Sequence, residues 1–260
     1  MPPKFRCIRC GECCSHIRGI ISDDEKEFIR KYAYGQLPLV QIFPIERMSF
    51  PLFDFEAKRF RGWQKEADVD AKIMPSRVVF DLNSNKSIII TYYMDYDSCP
   101  FLKDNRCLIY DKKRAFICRL FPFNKGPFLK TGEELRKEDM FGSCPSIKGI
   151  LPELDDKNRK ELVKKLYQSF GDNFLNIIEY DYLTEWVNRL IITLIKEERI
   201  KPAMNYPYKY LLRRIMSSEK IDLMDFLIEK GIKTPAEIEN LINGFDNNID
   251  AGEKLREFLG

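Results

Sequence analysis

Residues 5–14 read Phe-Arg-Cys-Ile-Arg-Cys-Gly-Glu-Cys-Cys, and they hold half of the chain's eight cysteines. The thiols Cys7, Cys10, Cys13 and Cys14 follow the spacing C-x2-C-x2-C-C. Two residues between thiols let the backbone curl so that both sulfurs face one metal, as in zinc knuckles and iron–sulfur loops. Gly11 can supply the positive φ such a curl needs. Lys4, Arg6 and Arg9 lie alongside, and cationic neighbours lower thiol pKa values and offset thiolate charge. Adjacent side chains diverge in extended backbone, so Cys13 and Cys14 are expected to face different centres.

A second group follows at Cys99, Cys107, Cys118 and Cys144, and no cysteine occurs after residue 144. Cys99 and Cys144 each precede a proline, a form familiar from the last ligand of ferredoxin runs. The ferredoxin run itself is broken, because Ile17 stands where its fourth cysteine would be. The C-x3-C-x2-C spacing of radical enzymes is absent too. All-sulfur ligation suits zinc or iron–sulfur. Eight thiolates could make two four-sulfur sites, or one cluster with the remaining thiols serving a second metal or a redox pair. Two other readings stand beside these. Four disulfides are disfavoured in a reducing compartment, except in hyperthermophiles. Inert buried cysteine fits poorly with four thiols in eight residues.

Composition narrows the function. The chain has 260 residues, 43 Lys+Arg, 40 Asp+Glu and a single His, with net charge +3. One His disfavours zinc-protease helices and Ser-His-Asp triads, and His16 itself reads as an ordinary residue rather than a spare ligand. No G-x-G, phosphate-loop or G-x-S-x-G motif is present. No secretory signal or transmembrane run is seen, so a cytoplasmic protein is expected. Residues 1–150 carry 26 basic and 20 acidic side chains, net +6, whereas 151–260 carry 17 and 20, net −3. If all eight cysteines are thiolates on two divalent zinc ions, or on two four-iron clusters with +2 cores, the whole chain falls from +3 to −1. The basic excess then reads as compensation for thiolates, and nucleic acid is disfavoured as a partner.

The local patterns give an α+β fold. Ser22 and Glu25 form a capping box for a helix running to about Tyr34. Residues 36–76, with four prolines and many aromatics, predict irregular structure with short strands. Arg77–Leu82 and Ser87–Tyr93 predict a β-hairpin around Asn83-Ser84-Asn85-Lys86. From about Pro152 the pattern is helical. Leu162, Leu166 and Phe170 mark one helix, and Trp186, Leu190, Ile191 and Leu194 another. Thr234-Pro235-Ala236-Glu237 starts a further helix, and Gly231 and Gly244 read as helix stops. The domains expected are 1–150, a cysteine-cluster domain with a hairpin and short helices, and 151–260, a mainly α-helical C-terminal region.

Other side chains admit two readings. Arg114 and Arg119 flank Cys118 and could balance a reduced cluster or make ordinary salt bridges. Lys112-Lys113-Arg114 could touch phosphate, although such runs are usually solvated. Tyr180, Tyr182 and Trp186, with Tyr206, Tyr208 and Tyr210, could form a binding platform but are more often packing.

Cys7–Cys14, then Cys99-Pro100-Phe101-Leu102, Cys107-Leu108-Ile109-Tyr110 and Arg114–Phe123 (with Cys118-Arg119-Leu120-Phe121-Pro122-Phe123) closely resemble the CxxCxxCC family of zinc- or iron-chelating proteins, also called the YkgJ-like cysteine cluster family. The resemblance covers roughly residues 5–125 and departs at Ala115, where the family usually has Pro. It implies metal or iron–sulfur binding with no assigned reaction, and the eight cysteines are the candidate ligands. One branch of the family contains flagellin lysine N-methylases that use S-adenosylmethionine. A protein lysine N-methylase-like enzyme is therefore one alternative, with no local S-adenosylmethionine motif to support it. A zinc-stabilised interaction module, with an unknown protein partner, is the other. An iron–sulfur protein with a redox role is the preferred reading. The sequence specifies neither substrate nor oligomeric state.

Overall fold

The computed structural model describes residues 3–18, 23–33, 38–47, 49, 51–111, 114–123, 141–142, 144–154 and 158–260. In chain order they form α1 (Glu12–Ser15), α2 (Asp23–Ala33), β1 (Val40–Gln41), β2 (Pro51–Phe53), α3 (Asp54–Ala67), β3 (Ile73–Asp81), β4 (Lys86–Met94), β5 (Leu102–Lys103) and β6 (Arg106–Cys107). There follow α4 (Phe116–Arg119), α5 (Arg159–Phe170), α6 (Asp172–Lys196), α7 (Tyr208–Ser217), β7 (Lys220–Asp222), α8 (Leu223–Glu229), α9 (Pro235–Asp246) and α10 (Ile249–Leu259). The class is α+β, and the C-terminal region is helical as its periodicity predicts. The Ser22–Glu25 capping box and the end of its helix at Tyr34 lie outside the described residues. Contacts gather into two compact units: Cys14–Lys103 with Val187–Glu239, and Met1–Cys13 with Asp104–Trp186 and Asn240–Gly260.

The unit containing residues 14–103 is built on the predicted hairpin. β3 and β4 pair antiparallel from Ile73↔Met94 to Asp81↔Lys86. The register shifts between Pro75 and Val78, next to a proline that cannot donate to the ladder. β1 extends the sheet beyond β3, while β2 (antiparallel) and β7 (parallel) both pair with β4. Every residue of β4 from Ser87 to Met94 is buried, as expected of a strand covered on both faces. At the hairpin turn Asp81 accepts hydrogen bonds from the Asn83 and Ser84 amides, the Ser84 hydroxyl and the Lys201 amide. Burial pushes its pKa up, but these bonds outweigh burial and hold it below the usual carboxylate value.

Two elements here correct the sequence reading. Residues 54–67, expected to be irregular, form the helix α3. Its Glu56 carboxylate accepts from the Phe53 amide at 3.0 Å, doing the work of an N-cap where Phe53 has no side-chain oxygen. α3 and α8 pack on β4. Between them lies Asp54, 1% exposed. Its carboxylate accepts from the Phe55 amide and from the Met224 amide in the first turn of α8, each at 2.8 Å. Burial raises its pKa to about 7 against those two hydrogen bonds. The second correction is β7, a three-residue strand with no counterpart in the sequence reading.

In the other unit, Leu162, Leu166 and Phe170 of α5 are buried together with Phe123, Phe141, Phe174 and Leu255. Phe123 packs edge-on against Phe170 at 4.8 Å. Gly244 lies inside α9 rather than ending it. The helix continues because Phe245 packs on Trp186 at 5.5 Å and Asp246 pairs with Arg119 at 3.2 Å. Gly231, at φ +62 just after α8, does stop its helix. Thr234 and Glu237 form the expected reciprocal cap, with 2.7 Å from the Thr234 amide to Glu237 and 3.2 Å from the Glu237 amide to Thr234. Thr234→Ala should therefore cost about 1 kcal/mol in denaturant unfolding.

The Asp54 carboxyl also has a definite pH signature. Its folded pKa lies above its unfolded value, so between about pH 4 and pH 7 the folded state holds a proton that the unfolded state has lost. That contribution to stability is full below the window and is lost as pH rises through it. At 1.36 kcal/mol per unit it amounts to roughly 4 kcal/mol. Asp54→Asn removes the titrating group. Its stability relative to the parent protein should improve from pH 4 to pH 7, and a difference that stays flat would remove Asp54 from the titration.

Candidate metal centre

All eight cysteines are thiols rather than disulfides. The first loop begins with an anchor: the Phe5 amide donates to the Ser169 carbonyl at 2.8 Å, and the Phe5 ring packs on Phe170 at 5.3 Å. The loop then turns through two left-handed residues, Arg9 at φ +57 and Gly11 at φ +78. Gly11 thus has the conformation its place in the motif predicts. The Arg9 amide donates to Cys7 Sγ at 3.4 Å. Cys7 and Cys10 are exposed.

Cys13 and Cys14 sit in the helical turn α1, not in extended backbone. Successive residues there point about 100° apart, from 3.6 residues per turn. Their immediate neighbours differ accordingly. Cys13 stands close enough to Cys107 for its charge to raise the Cys107 pKa. The Cys14 carbonyl accepts from the Cys99 amide at 2.7 Å. Three residues on, Ile17 is fully buried and bonded to Asp97. The position that breaks the ferredoxin spacing is a core position. His16 is exposed, as an ordinary residue would be.

Cys99-Pro100-Phe101-Leu102 is a turn closed by the Leu102 amide on the Cys99 carbonyl at 2.9 Å, with proline in the second position that such turns favour. Its Phe101 is fully buried and packs on Phe60 at 5.3 Å. Asp104 and Asn105, at φ +50 and +57, turn the chain toward Cys107. The Tyr110 amide then closes on the Cys107 carbonyl at 3.3 Å. Cys118 lies on α4, whose entry residue Ala115 has φ −57. That is the value a proline would impose, so the departure from the family pattern keeps its backbone. Asn173 donates to the carbonyls of Arg119 and Phe121, each at 2.8 Å, and fixes this segment. Cys144 precedes a short helical turn with Pro145 at its start.

Six thiols, Cys7, Cys10, Cys13, Cys107, Cys118 and Cys144, therefore belong to one compact unit, and Cys14 and Cys99 to the other. Burial raises the pKa of Cys107; the Ile109 amide, Arg114 and Arg9 oppose it, and Cys13 adds to it. Burial likewise raises Cys144, with Ser146 opposing and Cys10 and Cys7 adding. Burial and the neighbouring Cys7 raise Tyr110. The cysteines thus feel one another's charge. Among the described residues, however, no three His, Cys, Asp or Glu side chains are gathered into a set ready to hold a metal ion. The donors suit zinc or iron chemically, and closing them around an ion would require the thiols to lose protons and draw together.

The two arginines flanking Cys118 have different tasks. Arg119 makes the salt bridge to Asp246 and stacks on Phe116 at 4.1 Å, the structural alternative for this residue. Arg114 stacks on Tyr110 at 4.3 Å and acts on Cys107. Lys112 and Lys113 lie outside the described residues. Tyr180 and Trp186 are half-buried, Tyr180 against the core cluster and Trp186 on Phe245, and Tyr208 donates to the Gln41 carbonyl at 3.2 Å. Tyr206 and Tyr210 stack on each other at 5.6 Å and are exposed. The sequence marks Tyr110 only as the last residue of the Cys107–Tyr110 motif, and the fold brings it beside Cys7. No helix among the described residues is long and apolar enough to cross a membrane.

No curated protein and no solved structure matches the chain. The family model described as "Putative zinc- or iron-chelating domain" matches residues 6–145, more than half of the chain, and the protein belongs to this CxxCxxCC family.

Proposed function

We propose that the protein carries an iron–sulfur centre on its cysteine thiolates and serves a redox role, with all eight cysteines as ligands or partners of the bound metal. The observation that carries this reading is the set of six thiols in one compact unit, two of them raised chiefly by burial and further by the charge of other thiols. An all-sulfur donor set beside Arg9 and Arg114 favours a centre with net negative charge. Residues 1–150 would supply the ligands, and residues 151–260 the helices that brace them. A protein with eight reduced thiols suits a reducing compartment, and we assign it to the cytoplasm.

Purified without oxygen, the protein should contain iron and acid-labile sulfide and show broad visible absorption that dithionite bleaches. Zinc without sulfide would overturn the iron–sulfur assignment in favour of a zinc-stabilised module. A metal-free folded protein with four disulfides would end the metal-binding reading. Cys107→Ser and Cys144→Ser should each lower the bound metal, and unchanged metal in either would remove that cysteine from the ligand set.

A further inference from the structure

Two guanidinium groups lie on the ring of Tyr110. Arg9 Cζ is 3.9 Å from the ring centroid and Arg114 Cζ 4.3 Å. Burial and the charge of the neighbouring Cys7 raise the pKa of Tyr110. The Cys7 sulfur accepts from the Arg9 amide at 3.4 Å. Arg9 reaches Asp111 as well, at 3.7 Å. Tyr110 is itself held by its amide on the Cys107 carbonyl at 3.3 Å. One aromatic side chain therefore joins the first cysteine loop, the turn that follows Cys107 and the two arginines that act on Cys107.

We propose that Tyr110 is a positioning residue of the metal centre, donating its hydroxyl to the Cys7 sulfur and, through the Arg9 and Arg114 stack, tethering residues 7–10 to the Cys107 turn. This rests on the metal-binding reading above. A donor to a thiolate makes a charge-assisted bond, stronger than a neutral one. Cations on the ring face draw electron density from the phenol and make its O–H a better donor. Outer donors of this kind orient metal ligands and tune their donor strength.

The test uses the full chain with the metal it carries on purification, challenged with an excess of chelator. Tyr110→Phe keeps the ring and its stacking but removes the hydroxyl. It should hold metal about tenfold less tightly, at the lower end of the range for outer-shell changes. Tyr110→Ala should lose more. In the metal-free protein Tyr110→Ala should also speed amide exchange over residues 5–11, while Tyr110→Phe stays close to the parent. Cys7→Ser is the reference and should lose metal outright. If Tyr110→Phe holds metal as tightly as the parent while Cys7→Ser does not, the positioning role is overturned and metal binding stands. If Cys7→Ser also matches the parent, Cys7 is no ligand and the role of Tyr110 falls with it. A parent protein that carries no metal overturns the proposed function itself.

Discussion

Sulfur donors brought close together repel as soon as they ionise, and the cysteine unit is organised around that constraint. Burial and neighbouring thiols both push Cys107 and Cys144 toward the protonated form. Arg9 and Arg114 pull Cys107 the other way. Without a cation the balance is near-neutral thiols held within reach of one another. With one, protons leave and attraction replaces repulsion, so metal affinity depends on pH.

A scaffold that must keep such groups near each other cannot rely on the sulfurs for its stability. The anchors are their neighbours in the chain. Phe5 precedes Cys7 by two residues and is fixed on α5. Ile17, Phe101, Phe116 and Ile147 lie two or three residues from Cys14, Cys99, Cys118 and Cys144, and all four are buried. Each such side chain contributes roughly 1.5–3 kcal/mol by burial. Arg119 adds a polar lock beside Cys118 through Asp246. The cysteines themselves stay half-buried or exposed, open to an incoming ion. This division explains why the motif alternates reactive and bulky apolar residues.

The parts legible in the sequence are those set by local chemistry. The cysteine spacing, Gly11, the Arg77–Tyr93 hairpin, the Thr234 cap and the periodic helices after residue 152 each depend on residues close together in the chain. The misses depend on distant ones. α3 lacks a polar cap at Phe53 and has Gly62 in its interior, a cost of about 1 kcal/mol in an isolated helix. It forms because Phe55 and Phe60 are buried and Asp54 bonds the start of α8. β7 has only three residues, and β4 makes it a strand. Gly244 stays helical because Phe245 and Asp246, the last two residues of α9, are engaged by Trp186 and Arg119. The environment of Tyr110 was hidden for the same reason: spacing names the cysteines but not the aromatic that folding brings to them.

The cations of residues 1–150 are not alike in what they face. Arg119 answers Asp246, Arg18 answers Asp95 and Asp97, and Arg47 also answers Asp95. These three arginines are matched by carboxylates within the fold. Arg9 and Arg114 differ. Among the described residues the ion pair of Arg9 is a 3.7 Å contact with the exposed Asp111, and both guanidiniums stack on an aromatic ring beside the thiols. An aromatic face holds a cation without neutralising it. Positive charge is thereby kept available at the place where thiolates would otherwise be uncompensated. The composition suggested such compensation as a sum over 150 residues, and the fold concentrates the relevant part of it in two arginines and one tyrosine.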